Sequence, residues 1–251
     1  MPHIQVYSVS IEGGDFLESV LITGANRGLG YELLKVFSQN GFITFPVVRS
    51  EEAFKTIRST FSNHCHPILA DVSNDGARDA INSAIGNEVN SLDVVINNAG
   101  ISGQGHLIES VSTTEVNGLF NVHCLGPIRV VQACLPHLRN SHKPRIVNVS
   151  SRLGSLQRMA SGEFKGRYFS YSYRMVKAAQ NMFSLSLSQE LEDENIVVCA
   201  IHPGQLLTRG KSADADMDAS VAANNIFEWV QIIGPSDTGS FVQPQIGKHP
   251  W

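Results

Sequence analysis

The chain has 251 residues, 42% hydrophobic and 17% charged, which suits one α/β domain with a sizeable core and excludes a disordered chain. A net charge of -4 with no basic cluster speaks against a nucleic-acid or anionic-membrane partner. Cys65, Cys124, Cys134 and Cys199 are scattered without a C-x-x-C, which fits a reducing cytoplasm, and no stretch is long and apolar enough to cross a membrane.

The opening residues, MPHIQVYSVSIEGGDF, have no basic start and no long apolar run. No secretory signal is expected there, and residues 1–17 read as an appendage before the first strand. Short β-rich runs then alternate with helical patterns. The strands are SVLIT (19–23), FITFPVV (42–48), HPILA (66–70), LDVVI (92–96), RIVNVS (145–150), IVVCAI (196–201) and SFVQ (240–243). They are continuous apolar runs, the mark of strands buried on both faces. Intervals long enough for crossover helices complete the pattern: one domain, α/β, with a single doubly wound parallel sheet and helices on both faces. Residues 205–225, small and polar, read as a lid over a substrate site.

The first strand runs into TGANRGLG, residues 23–30. Gly24, Gly28 and Gly30 permit a tight turn and a close backbone approach, and the helix that follows offers free N–H groups to a pyrophosphate. Asn26, Arg27 and Leu29 belong to the same loop. At the first βαβ unit of an α/β chain, this pattern points to a dinucleotide. The second strand ends in PVVRS, with Arg49 where an NAD site places an acid. Arg49 and Arg27 suit a 2′-phosphate, so NADP(H) is the expected cofactor and NAD(H) the alternative. The plain alternative for these two residues is a pair of solvated arginines.

Residues 166–177 read GRYFSYSYRMVK. On a helix starting near residue 171, only Tyr173 has a cation four residues on, at Lys177. Either Tyr173 packs and Lys177 is solvated, or the pair is chemical. Two other local signals carry little. The N-V-S at Asn148 matches a glycosylation acceptor but sits inside an apolar strand. The H-C-H at 64–66 has no partner cluster, so no metal is expected.

The pieces TGANRGLG, Asp71 in ADVS, NNAG (97–100), VNVSS (147–151), YRMVK (173–177) and HPGQLLT (202–208) occur in the order found in short-chain dehydrogenases/reductases. The chain resembles that family, and most of all its sniffer and C-factor type of carbonyl reductases, through NNAGISG, LGPIRVVQACLP and TGSFVQPQIGKHPW. The resemblance implies a Rossmann-like carbonyl/alcohol oxidoreductase. Tyr173 is then the general acid or base, with Lys177 lowering its pKa and holding the nicotinamide ribose. Ser151, rather than Ser150, binds the substrate oxygen. Asp71 and Val72 face the adenine, Asn98, Ala99 and Gly100 line the adenosine, and Pro203, Gly204, Leu206 and Thr208 touch the carboxamide. The family's assemblies suggest a homodimer or homotetramer paired through helices 112–140 and 171–194.

One departure is prominent. His123 stands where the family carries a catalytic Asn that supports a proton-relay water, and Asn121 faces elsewhere. Pro127 has no N–H to return to the His123 carbonyl, so that carbonyl remains available to a relay water. Smaller departures are Val176 for Ser and Gln205 for an aromatic residue. A weakened member acting as a dinucleotide-binding regulator, or a non-redox enzyme such as an epimerase, are the rival readings. Residues 152–170 and 205–225 carry no motif that names the substrate.

Overall fold

The computed structural model describes residues 17–61, 63–206 and 217–251. Within them lies one sheet of eight strands in the order β3-β2-β1-β4-β5-β6-β7-β8. The strands are β1 (Ser19–Thr23), β2 (Ile43–Val48), β3 (Ile68–Leu69), β4 (Val94–Asn97), β5 (Arg145–Val149), β6 (Val197–Ile201), β7 (Phe241–Gln243) and β8 (Gly247–Lys248). All neighbours are parallel except β7 and β8. The strand order reverses between β1 and β4, the place where doubly wound folds bind nucleotides.

The apolar runs have a direct packing reason. Val20 and Ile22 of β1 face a core shared with α1 (Gly28–Gln39), α2 (Glu51–Thr60) and α8 (Ala219–Ile232). Leu21, between them, faces the opposite core, with α3 (Ala77–Gly86), α5 (Gly126–Leu138) and α7 (Tyr171–Glu190). Both side-chain directions are buried, so no polar alternation survives. The remaining helices are α4 (Thr113–Phe120) and the short α6 (Leu156–Ala160).

Several expected boundaries move. β1 is found as read, but β3 covers only two of the five residues expected. Pro46 of β2 and Pro67 beside β3 have no N–H, which removes two ladder donors where the strands would lengthen. The antiparallel β8 was not foreseen. The 112–140 segment is not one helix: α4 and α5 are joined by a π turn over Asn121–Leu125, in which the Gly126 N–H returns to the Asn121 carbonyl. Of the segment 205–225 read as a lid, residues 207–216 lie outside the described residues. Residues 219–225 are the first half of α8, because Ala222 and Ala223 bury against α1 rather than face solvent. The appendage 1–17, apart from Leu17, lies outside the described residues.

At the amino ends of the strands, Arg145 is fully buried. Its Nη2 donates to Glu18 Oε2 at 2.7 Å and its Nη1 to the Val230 carbonyl at 3.0 Å, tying β5 to the first residues and to α8.

Candidate active site

The glycine loop joins β1 to α1 at the carboxyl edge of the sheet. Gly28 has φ +54, and a Cβ there would meet nothing within 4 Å, so the backbone is bare on its open side. Gly30 has the opposite need: a Cβ would fall 2.3 Å from the Gly24 carbonyl oxygen and 2.5 Å from Asn98 Nδ2. The start of α1 has no side-chain cap, which leaves its first N–H groups available to an anion. Asn26, Arg27 and Arg49 are exposed around it.

The loop after β4 is locked to this turn. Thr23 Oγ1 accepts from the N–H groups of Asn98 and Ala99, at 3.0 and 2.9 Å, and Asn98 Nδ2 donates to the Thr23 carbonyl. The Asn98 side chain therefore braces the glycine turn instead of lining the adenosine region. Leu29 and Val72 also turn their side chains into the cores, so only their main chains face a ligand. Asp71 Oδ1 accepts from the N–H and hydroxyl of Ser73, which fixes its carboxylate at the end of β3. Asn121 donates to the Ser73 carbonyl and accepts from Arg129, so it clamps the Asp71 loop to the π turn and faces away from Tyr173, as its helical phase requires.

These features suit a dinucleotide: an uncapped helix start, a bare glycine face, two exposed guanidiniums and a fixed carboxylate. Arg27 and Arg49 make no ion pair among the described residues. Glu51 and Glu52 follow in the first turn of α2 and set two negative charges close by.

Ser151, Tyr173 and Lys177 come together where β5 meets α7. Ser170 caps α7 by accepting from the Tyr173 N–H, so the helix begins just ahead of the tyrosine. The Ser151 side chain faces the Tyr173 phenol closely enough to act on its proton affinity, and its hydroxyl accepts from the Leu153 N–H. Ser150 is buried, and its hydroxyl donates to Asn181 on α7, away from any substrate. Gly154 presses the turn after Ser151 onto α7, since a Cβ there would lie 2.7 Å from the Lys177 carbonyl carbon.

Lys177 is buried, and its Nζ donates to the Val149 carbonyl and to Gln180 Oε1, both at 2.8 Å. It lies 5.6 Å from the Tyr173 ring centre. Burial lowers the lysine to about 7. Burial also raises the Tyr173 phenol to about 12, with Ser151 pulling the other way. The net shift of the phenol is upward, and its cause is burial rather than Lys177. Lys177 is itself only half charged near neutrality.

His123 sits in the π turn, 1% exposed, edge-on to Tyr173 with ring centres 5.7 Å apart. Its Nε2 lies 2.8 Å from the Ile101 carbonyl oxygen and 3.1 Å from the Ile101 N–H nitrogen. Whichever of these it uses, Nδ1 is buried without a partner. Burial, followed by the Lys177 charge, drops the imidazole to about 3, so it is neutral at physiological pH. Gly100 makes room for it: a Cβ there would be 2.7 Å from His123 Cε1.

Polar residues that sequence reasoning missed hold this arrangement. Asn97 donates to Asn148, Asn148 to Ser184, and Ser184 to the Gln180 carbonyl, a buried ladder from β4 to α7. With both amide ends of Asn148 engaged and buried, the N-V-S match is not an open glycosylation site. Pro203 and Gly204 follow β6, and Leu206 pairs with Met217 and packs on the core; Thr208 lies outside the described residues. Among the described residues, no three His, Cys, Asp or Glu side chains gather as metal ligands, and no helix is long and apolar enough to cross a membrane.

Known proteins share this architecture. The carbonyl reductase Sniffer of D. melanogaster is 29% identical with a TM-score of 0.84, over 94% of this chain and 100% of that one. An NADPH-bound carbonyl reductase from chicken fatty liver, at 23% identity and a TM-score of 0.83, shares the fold over 94% of this chain and 99% of its own. C-signal of Myxococcus xanthus is 35% identical over 160 residues, 64% of this chain and 93% of that protein. The short-chain dehydrogenase anuI of Penicillium roqueforti is 32% identical over 195 residues, 74% of this chain and 77% of that protein. The short chain dehydrogenase family pattern matches residues 18–219, and with the glycine turn, the Lys177 cradle and its approach to Tyr173 in place on that fold, the chain belongs to the short-chain dehydrogenase/reductase family of oxidoreductases.

Proposed function

We propose that the protein interconverts a carbonyl compound and its alcohol, with NADP(H) as the preferred nicotinamide cofactor and NAD(H) as a weaker substitute. When bound, the cofactor supplies or accepts the hydride. Ser151 and Tyr173 both address the substrate oxygen. The Ser151 hydroxyl donates a hydrogen bond that polarises the carbonyl, and the Tyr173 phenol gives up its proton as that oxygen becomes alkoxide-like. A phenol held un-ionised by burial is in the donor form that reduction requires.

Lys177 spends two of its donors on Val149 and Gln180, and a third N–H suits a ribose hydroxyl. His123, neutral and fixed on Ile101, supports the Tyr173 ring rather than exchanging protons itself. The Pro127 gap leaves the His123 carbonyl available to a relay water.

The observation that carries the proposal is Lys177 Nζ held on the Val149 carbonyl and Gln180 at 5.6 Å from the Tyr173 ring centre, with Ser151 two residues past Val149 at the end of β5. NADPH oxidation over a panel of aldehydes, ketones and quinones tests it, with Tyr173→Phe beside wild type. Turnover should fall at least a hundredfold in Tyr173→Phe while NADPH affinity holds, and Tyr171→Phe should stay active. Equal turnover in the two tyrosine variants refutes the assignment. The His123 departure supports a second reading, a dinucleotide-binding regulator; NADPH binding with no turnover on any panel member selects it.

A further inference from the structure

A second polar group adjoins the Ser151 turn. Between the turns that follow β5 and β6 lies a cavity of about 310 Å³ at the carboxyl edge of the sheet. Arg152, Arg158, His202, Gln205, Gln243 and His249 line it. Its outer wall is α6 packed on the 243–251 segment, where the Gln157 N–H and the Ser155 hydroxyl both donate to the Trp251 carbonyl oxygen.

The charges in this cavity do not balance. Arg158 donates both to Glu163, at 2.9 and 2.8 Å, and to His249 Nδ1 at 2.6 Å. A guanidinium has no acceptor, so His249 Nδ1 is the acceptor and that imidazole is neutral. Glu163 is the one carboxylate in contact with either arginine among the described residues. Arg152 reaches it only at 3.7 Å and otherwise sits over the Phe164 ring. The Arg152 side chain is 20% exposed and makes no hydrogen bond among the described residues. Its nitrogens are not among the buried unpartnered atoms of the described residues, so they reach the solvent of the cavity and are open to an acceptor that a ligand brings. His202, 6% exposed, lines the same cavity with its Nδ1 buried and unpartnered, and the Arg158 Nε is in the same condition. Both histidines are pushed down by burial and by the two arginines, which leaves the surplus positive charge on Arg152.

We propose that this cavity is the carboxylate subsite of the substrate, so that the preferred substrate is a carbonyl compound carrying an acid group, bound through Arg152. The inference rests on the reductase reading above. Arg152 follows Ser151 directly, about 3.8 Å along the main chain, so the cavity adjoins the Ser151 turn, and a substrate long enough to bridge the two carries its carbonyl at Ser151 and its acid group in the cavity. The planar fork matches a carboxylate in two parallel hydrogen bonds. The reaction itself is unchanged: NADPH is oxidised, its hydride goes to the carbonyl carbon, and Tyr173 protonates the oxygen.

The test compares 4-formylbenzoate with its methyl ester in NADPH-oxidation kinetics. Wild type should favour the acid at least tenfold in kcat/KM, and Arg152→Met should reduce that ratio at least tenfold. A wild-type ratio of one or less overturns the subsite, and so does a ratio untouched in an Arg152→Met variant that unfolds at the wild-type temperature. A second measurement does not need turnover: calorimetric titration of 4-hydroxymethylbenzoate into the NADP⁺-saturated protein. Arg152→Met should weaken that binding at least tenfold, and Glu163→Gln, which frees the arginines, should tighten it. If Arg152→Met does not fold, the Glu163→Gln result decides, and unchanged or weaker binding in it overturns the subsite. If neither aldehyde is reduced although NADPH binds, the reductase reading fails, and the calorimetry alone then upholds or overturns an acid site.

Discussion

Replacing Lys177 by Met should change how stability depends on pH, and the size of the change follows from the cradle that holds the lysine. Lys177 is 4% exposed, and burial brings it from 10.5 to about 7. Its folded pKa therefore lies below its unfolded one. Between pH 7 and 10.5 the unfolded chain binds one more proton at this residue than the folded chain, so stability rises with pH across that window. From pH 7 to pH 9 the integrated gain is about 2 kcal/mol, from roughly 1.4 kcal/mol per pH unit once the folded lysine is neutral. The methionine variant lacks this term. Urea unfolding of both proteins at pH 7, 8 and 9 isolates it, because the other titrating groups cancel in the difference. Wild type should gain about 2 kcal/mol on the variant over this range. Parallel pH profiles would show that Lys177 keeps its ordinary pKa when folded, and the account of the Tyr173 environment would fall with it. The absolute stability of the variant is a poorer guide, since the Val149 carbonyl and Gln180 lose their partner at the same time.

NADPH should bind at least tenfold more tightly than NADH, about 1.4 kcal/mol, and fluorescence titration of Arg49→Ala should remove most of that margin; equal wild-type affinities exclude the 2′-phosphate assignment. His123 is lowered from 6.5 to about 3, so folding loses stability as pH falls below 6.5. His123→Asn should therefore gain roughly 2 kcal/mol on wild type between pH 7 and 4.5 in denaturant titrations, and an unchanged difference counts against a neutral buried imidazole. At the far end of the sheet, Glu18→Gln should cost more stability than Arg145→Met, because the first leaves a buried guanidinium without its carboxylate and the second removes the charge. Thermal unfolding in the reverse order would contradict the ion-pair account.

The parallel sheet was legible because burial on both faces leaves unbroken apolar runs, and β1 was found residue for residue. β8 was not, since its two exposed residues form no run. Tyr173 and Lys177 were legible as a helical pair. The electrostatics between them was not, because spacing along a helix says nothing about how much water each group loses. Gln180 and Ser184 look like surface positions in the sequence, and only the fold shows that they join the strand residue Asn148 in one buried polar ladder. Pro127 signalled an irregular helix, but a π turn is a pattern of backbone hydrogen bonds that no residue type specifies. The Arg152 cavity unites the 150s with the 240s, about ninety residues apart, so no local motif announces it.

The π turn also makes the site sensitive to chain length. Its hydrogen bonds span five residues instead of four, so it accommodates one residue more than the α-helical turn it replaces. Each helical residue advances the side-chain direction by about 100°, so the two flanking helices are out of phase by that angle relative to one continuous rod. The offset lets Leu119 and Cys124 meet Val176 on α7 while Val130, Val131 and Cys134 still face the sheet. Deleting any single residue from 121–125 would remove that offset and rotate one of these faces off its partner. At this junction a lost residue damages more than a changed one, and the insertion itself works as a structural part alongside the side chains it carries.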